Sequence, residues 1–289
     1  MKKLVISIAL IVSTTCGLYA QDVKFGIKGG LNLPSMAVVK STPLSEGYDM
    51  RLASGMGIFT ELQVTPMVSL RLGVEYSGLG GKKSGMQAMP SMRPITAIGS
   101  SAGMGMTEEQ QMALGALYVS MPPYYYSNIE STAKLVYVMV PLMAQFGWDV
   151  GETPWRVYVN AGPFVSFLLK GEQVAKGTDK MYCDASGTAS LWDNLPQEVK
   201  FIASSAFSDV DKELGDPVSY GTTSIAGEMK SSNFGLAGHA GLRYQRNHNY
   251  FFLEVGGNYG FMTAQDSEDN GSNRLSAISI MVGYAFKLF

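Results

Sequence analysis

The chain has 289 residues and nearly balanced charge, with 22 Lys and Arg against 24 Asp and Glu. Charged residues make up only 16%, against roughly 25% in soluble domains, while Gly (33), Met (18), Tyr (15) and Phe (13) are abundant. This excludes the basic surface that nucleic acid requires, and also disorder, which goes with low hydrophobicity and high charge.

The N-terminus reads as an export signal. Lys2 and Lys3 precede a short apolar core over residues 4–12, and Leu18, Tyr19 and Ala20 offer a cleavage site before Gln21. Residues 1–20 are expected to be removed, leaving 21–289 as one domain. A lipoprotein reading would use Cys16, but Ser13, Thr14 and Thr15 are not the residues such a site calls for. With Cys16 gone only Cys183 remains, too few for an internal disulfide or a multi-cysteine metal site. The most apolar later stretch, residues 135–144, contains Pro141 and has about half the roughly 20 residues of a spanning helix.

Period-two alternation then recurs eight times, as strands require. The apolar rows are Val23, Phe25, Ile27, Leu31 and Leu33; Met56, Ile58, Thr60, Leu62 and Val64; and Val68, Leu70, Leu72, Val74 and Tyr76. A fourth carries Val136, Val138, Val140, Leu142, Ala144, Phe146 and Trp148, and a fifth Val157, Val159, Ala161, Val165, Phe167 and Leu169. The last three start at Phe234, Phe251 and Ile278 and run to Tyr244, Phe261 and Leu288. Short turns near Pro66, between Asp149 and Trp155, and between Arg246 and Asn249 alternate with long connections at about 34–53, 82–132, 171–231 and 263–273. Short turns at one end and long loops at the other are the pattern of an outer-membrane barrel. An even strand count then puts all long loops on the outer side.

A soluble barrel would alternate too, with its apolar row inward. The second row decides between them. It is rich in Gly, Ala and Ser (Gly235, Ala237, Gly241, Gly256, Gly260, Ala277, Ser279, Gly283, Ala285) rather than Lys and Glu. Small residues suit the narrow interior of eight strands, so the apolar row is expected to face lipid. The expected fold is all-β: an eight-stranded antiparallel up-and-down transmembrane β-barrel whose long extracellular loops carry short helices.

Several segments carry a family likeness. They are residues 25–32 (FGIKGGLN), Tyr137 with Pro141 and Leu142, residues 161–164 (AGPF) and residues 234–238 (FGLAG), with Gln21 directly after the cleavage site. In this order they resemble the PorT-type outer-membrane β-barrel family common in Bacteroidota. The likeness covers the eight strands and none of the long loops. The terminal aromatic Phe289 falls out of phase with Phe286 and Leu288, a departure from the usual barrel ending. The resemblance implies an outer-membrane location, and a secretion or assembly apparatus as one setting.

Lys24, Lys28, Glu61, Arg71, Glu75, His239, Arg243 and Glu254 share the inward row. They are expected to form a structural network that fills the lumen; the alternative is a conduction path. Centring the second hairpin on Pro66 sets Glu61 opposite Arg71, with Glu75 as the competing partner. Neither histidine suits an enzyme of the outer rim: His248 lies in a short turn and His239 at mid-strand. Met86, Met89, Met92, Met104 and Met106 are weak candidates for a soft metal such as Cu(I), with apolar filling as the plainer reading.

The loops show local order. Thr107 with Gln110 forms a capping box. Trp192, Leu195, Val199, Ile202 and Phe207 have helical spacing, with Asn194 as the cap. Tyr124, Tyr125 and Tyr126 suit an interfacial aromatic belt. The expectation is a non-enzymatic protein with a structural or binding role at the cell surface, embedded in the outer-membrane bilayer, without cofactor, and with an envelope or extracellular protein as a possible partner. Small-solute or metal transport is the other alternative.

Overall fold

A computed structural model describes residues 22–101, 105–269 and 271–287. The signal segment with Cys16, Met104, and the terminal Leu288 and Phe289 lie outside the described residues. The main strands are β1 (Asp22–Lys40), β2 (Ala53–Gln63), β3 (Val68–Lys83), β4 (Glu130–Asp149), β5 (Trp155–Lys176), β6 (Ser232–Arg246), β7 (Asn249–Thr263) and β8 (Ser272–Lys287). Each pairs antiparallel with its neighbours in sequence, and β8 pairs with β1, from Lys24 opposite Lys287 to Lys40 opposite Ser272. The eight strands therefore close into a ring, which leaves no sheet edge unpaired.

The rows face as their chemistry demands. Ile27, Ile58, Leu142, Val165, Leu253 and Ile280 are exposed on the outer surface. At the short-turn end Trp155 meets Tyr244 (centroids 5.1 Å apart) and Phe251 meets Tyr284 (4.8 Å), the aromatic girdle of a membrane interface. Inside, the long-loop half is filled by an apolar cluster that includes Met36, Leu79, Leu135, Tyr137, Phe164 and Leu275. A second cluster of Phe59, Tyr158, Tyr250 and Phe252 lies toward the short turns.

Several strands run further than the apolar alternation predicts. β1 continues to Lys40, β4 begins at Glu130 and β5 ends at Lys176, so the first three long connections shrink to residues 41–52, 84–129 and 177–231. The apolar row stops where the wall leaves hydrocarbon, but the hydrogen-bond ladder continues: Lys82 still pairs with Thr132 and Lys83 with Ser131.

The second and third long connections fold together into a cap. A hairpin joins Met86–Pro90 to Tyr124–Asn128. Beside it lie α1 (Met92–Ser101), α2 (Glu108–Ser120), α3 (Gln197–Ala206) and α4 (Val210–Gly215). Leu117, Tyr125, Leu191 and Leu214 are in the cap's own core. Thr107 and Gln110 close both halves of the capping box on α2. Asn194 does not cap α3, which starts behind Pro196 without a side-chain cap. The Asn194 amide instead donates to the Ser190 carbonyl (2.8 Å). The tyrosine run is not an interfacial belt either. Tyr125 is buried, and the backbones of Tyr126 and Tyr182 bond each other within the cap.

Candidate functional site in the lumen

Strand parity brings the inward charges into one volume. Glu61 on β2 sits between Lys24 on β1 and Arg71 on β3. Gly57 sits likewise between Lys28 and Glu75. Having no side chain, it lets the Lys28 ammonium reach the Glu75 carboxylate at 2.8 Å.

Glu254 enters from the far wall and joins these pairs. It accepts from Lys28 (3.0 Å), Arg71 (2.9 Å) and the Tyr158 hydroxyl (3.1 Å). Glu61 accepts from Arg243 (3.1 Å), the Tyr250 hydroxyl (2.6 Å), and more distantly Arg71 (3.4 Å) and Ser69 (3.4 Å). A continuous chain thus runs Glu75–Lys28–Glu254–Arg71–Glu61–Arg243 across the lumen, with three charges of each sign. Glu61 does stand opposite Arg71, but Arg71 gives its shorter bond to Glu254, and Glu75 takes Lys28 rather than Arg71. Sequence distance hides this, because Arg71 and Glu254 are 183 positions apart.

Two of the expected residues sit beside the chain. The Lys24 ammonium is 3.3 Å from the Gln63 side-chain oxygen, and His239 Nδ1 is 3.0 Å from Asn160 Oδ1. Tyr158, Tyr250, Phe59, Phe252, Asn160 and Gln145 were missed by sequence reasoning. All lie on the inward parity, which was the available signal. The space left beside Lys28, Asn32, Glu75 and His239 is about 20 Å³, enough for about one water.

Met86 and Met89 lie on one strand, where a spacing of three turns side chains to opposite faces. Met89 is buried against the Tyr125 hydroxyl (3.5 Å). Among the described residues, no cluster of three or more His, Cys, Asp or Glu is placed to hold a metal.

A closed antiparallel ring with an apolar outer face and a polar, filled interior defines a membrane-spanning β-barrel. Residues 19–265 match the family model described as outer membrane protein beta-barrel domain, and the chain belongs to that family. Its place is accordingly the outer membrane, within the lipid bilayer. No curated protein matches the chain. Similar solved structures include Neisserial surface protein A (10% identity, 93% of this chain and 99% of that one, TM-score 0.38). Others are a major outer membrane protein from Thermus thermophilus (12%, 92% and 99%, 0.38) and Ail of Yersinia pestis in complex with a heparin analogue (11%, 92% and 100%, 0.33).

Proposed function

We propose that this protein is a non-enzymatic outer-membrane barrel with a plugged lumen, whose folded cap does structural or binding work at the cell surface. On this reading residues 1–20 are an export signal and 21–289 form one domain. The termini and short turns face the periplasm and the cap faces outward. The observation that carries the reading is the ion-pair chain across the lumen, closed by the aromatic cluster beneath it and the apolar cluster above. Reconstitution of the full barrel in planar bilayers is the direct test. No stable conductance steps are expected, and reproducible single-channel steps would replace the plug with the transport reading.

The second reading is a component of a secretion or assembly apparatus, in line with the PorT-type order of motifs. What favours it is α2, apolar around much of its circumference. Ala113 and Leu117 are buried, but Met112 and Val119 are exposed, as is Phe201 on α3. An apolar surface on a helix pair suits a protein partner. Native gels of gently solubilised outer membranes test this: a discrete larger complex supports it, and a monomer throughout removes it.

A further inference from the structure

We propose that the outer wall carries a binding site for one anionic lipid of the surrounding bilayer, with an acyl chain in a lateral groove and the charged headgroup at Arg274. The groove measures about 580 Å³ and is lined in part by Leu33, Leu236, Gly238, Gly257, Tyr259 and Ser276. Its size falls within the roughly 300–1,000 Å³ of small-molecule sites. These six belong to the outward row, so the groove opens on the surface that contacts hydrocarbon, while Ala237, Asn258 and Ala277 of the inward row also line it. It is recessed because Gly238 and Gly257 face each other across β6 and β7, where apart from Ala240 the rest of that row is Leu, Val or aromatic. Just above it the β7–β8 pairing lapses between Tyr259 and Thr263.

The polar end of the groove is what distinguishes one lipid from another. Arg274 lies two positions beyond Ser276 on the same face of β8. Its Nη1 is 3.5 Å from the Tyr259 hydroxyl. Its Nε is buried without a hydrogen-bond partner, and it makes no ion pair among the described residues. The Lys230 ammonium is nearby, 2.6 Å from Oγ1 of Thr263, the residue paired with Arg274. Depth agrees with a headgroup position. Ten positions separate Phe286, in the girdle at the short-turn end, from Ser276. At about 3.4 Å per residue and a tilt of about 40°, that is ~26 Å of height, close to the ~25 Å apolar band of such barrels. Arg274 therefore falls just beyond the hydrocarbon, where phosphates lie. A guanidinium there offers a forked, charge-assisted contact to phosphate.

Native mass spectrometry of the full detergent-solubilised protein tests this with three probes. They are dipalmitoyl phosphatidylglycerol, dipalmitoyl phosphatidylcholine, and glycerophosphoglycerol, which has the headgroup and no chains. One phosphatidylglycerol should be retained in preference to phosphatidylcholine, and the chain-free headgroup should not displace it. Arg274→Gln should weaken phosphatidylglycerol about tenfold, the loss of one charge-assisted pair, and leave phosphatidylcholine unchanged. Gly238→Leu should weaken both lipids by filling the groove. A Cβ at Gly238 has Asn160 O at 3.6 Å and Ala161 Cβ at 3.9 Å as its nearest neighbours, so the wall tolerates it. Heat-modifiable gel mobility reports folding of each variant, and Arg274→Lys, which keeps the charge, should retain the preference. Equal retention of phosphatidylglycerol by wild type and Arg274→Gln overturns the proposal. So does displacement by the chain-free headgroup, or a doubled mass showing a second copy seated on the groove.

Discussion

Exchanging Glu61 for glutamine leaves Arg243 without a carboxylate among the described residues, because Glu61 is its ion-pair partner at 3.1 Å. Arg71 in the same variant keeps Glu254 at 2.9 Å. The two guanidiniums should therefore report very different couplings to one carboxylate. Glu61 is 1% exposed, and stranding a buried charge costs about 3–5 kcal/mol, so Glu61→Gln should destabilise by about that much. A charge-assisted hydrogen bond is worth roughly 1.5–3 kcal/mol, which sets the Glu61–Arg243 coupling. The Glu61–Arg71 contact is longer, at 3.4 Å, and its guanidinium is shared, so its coupling should fall near the ~0.5 kcal/mol lower bound for interacting neighbours. Two double-mutant cycles measure this, Glu61→Gln with Arg243→Met and Glu61→Gln with Arg71→Met. Each is followed as folded fraction by heat-modifiable mobility across a urea series. A Glu61–Arg71 coupling equal to or above the Glu61–Arg243 coupling refutes the ion-pair order derived above.

Three further outcomes are expected. In a Cys183→Ser background, a cysteine at Val119, which is 84% exposed, should react with an impermeant maleimide on intact cells, and one at Asn247 should not; the reverse pattern inverts the topology. Burial and then the Asp184 carboxylate push the Cys183 thiol up, so its alkylation should be slow near pH 7 and speed up with pH. Asp184→Asn should speed it at fixed pH, and no effect of that change would remove the electrostatic part. Thr107→Ala deletes the α2 cap at a cost of about 1 kcal/mol, so amide exchange in the first turns of α2 should accelerate about fivefold while the strands stay unchanged.

The strands were legible because a lipid-facing wall needs an apolar side chain at every second position, and a closed ring lets few positions break that rule. The same parity exposed the inward charges and the pairing of Glu61 with Arg71 across the Pro66 turn. It could not show which charges meet across the lumen, since that depends on the tilt and stagger of the whole ring. Nor could it show where strands end once hydrocarbon no longer selects apolar residues, as at Lys40 and Lys176. The cap was readable at Thr107, where a local hydrogen-bond device leaves a local signature. α1 contains Pro94 and Gly99, and α4 spans only Val210–Gly215, too short for any periodicity. The strand over Met86–Pro90 had no such signature, and there a spacing of three puts Met86 and Met89 on opposite faces.

The inward glycines have a more specific role than making room in a narrow interior. Gly26 stands directly opposite Phe59, Gly241 opposite Tyr158, and Gly283 opposite Phe252. A Cβ at each would come within 2.2, 2.2 and 2.3 Å of the facing ring. Each aromatic therefore lies over the bare backbone of the neighbouring strand, the arrangement in which a ring covers a strand glycine. Those three rings then surround one cation. The Arg71 guanidinium carbon is 4.3 Å from the Phe59 centroid, 5.4 Å from that of Phe252 and 5.6 Å from that of Tyr158. Cation–π contacts are worth about 2 kcal/mol or more when desolvated, which offsets part of the cost of holding a buried guanidinium between Glu254 and Glu61. The small residues, the aromatic rings and the ion pairs are thus one construction: glycines seat the rings, the rings enclose Arg71, and Arg71 joins the two carboxylates that close the lumen.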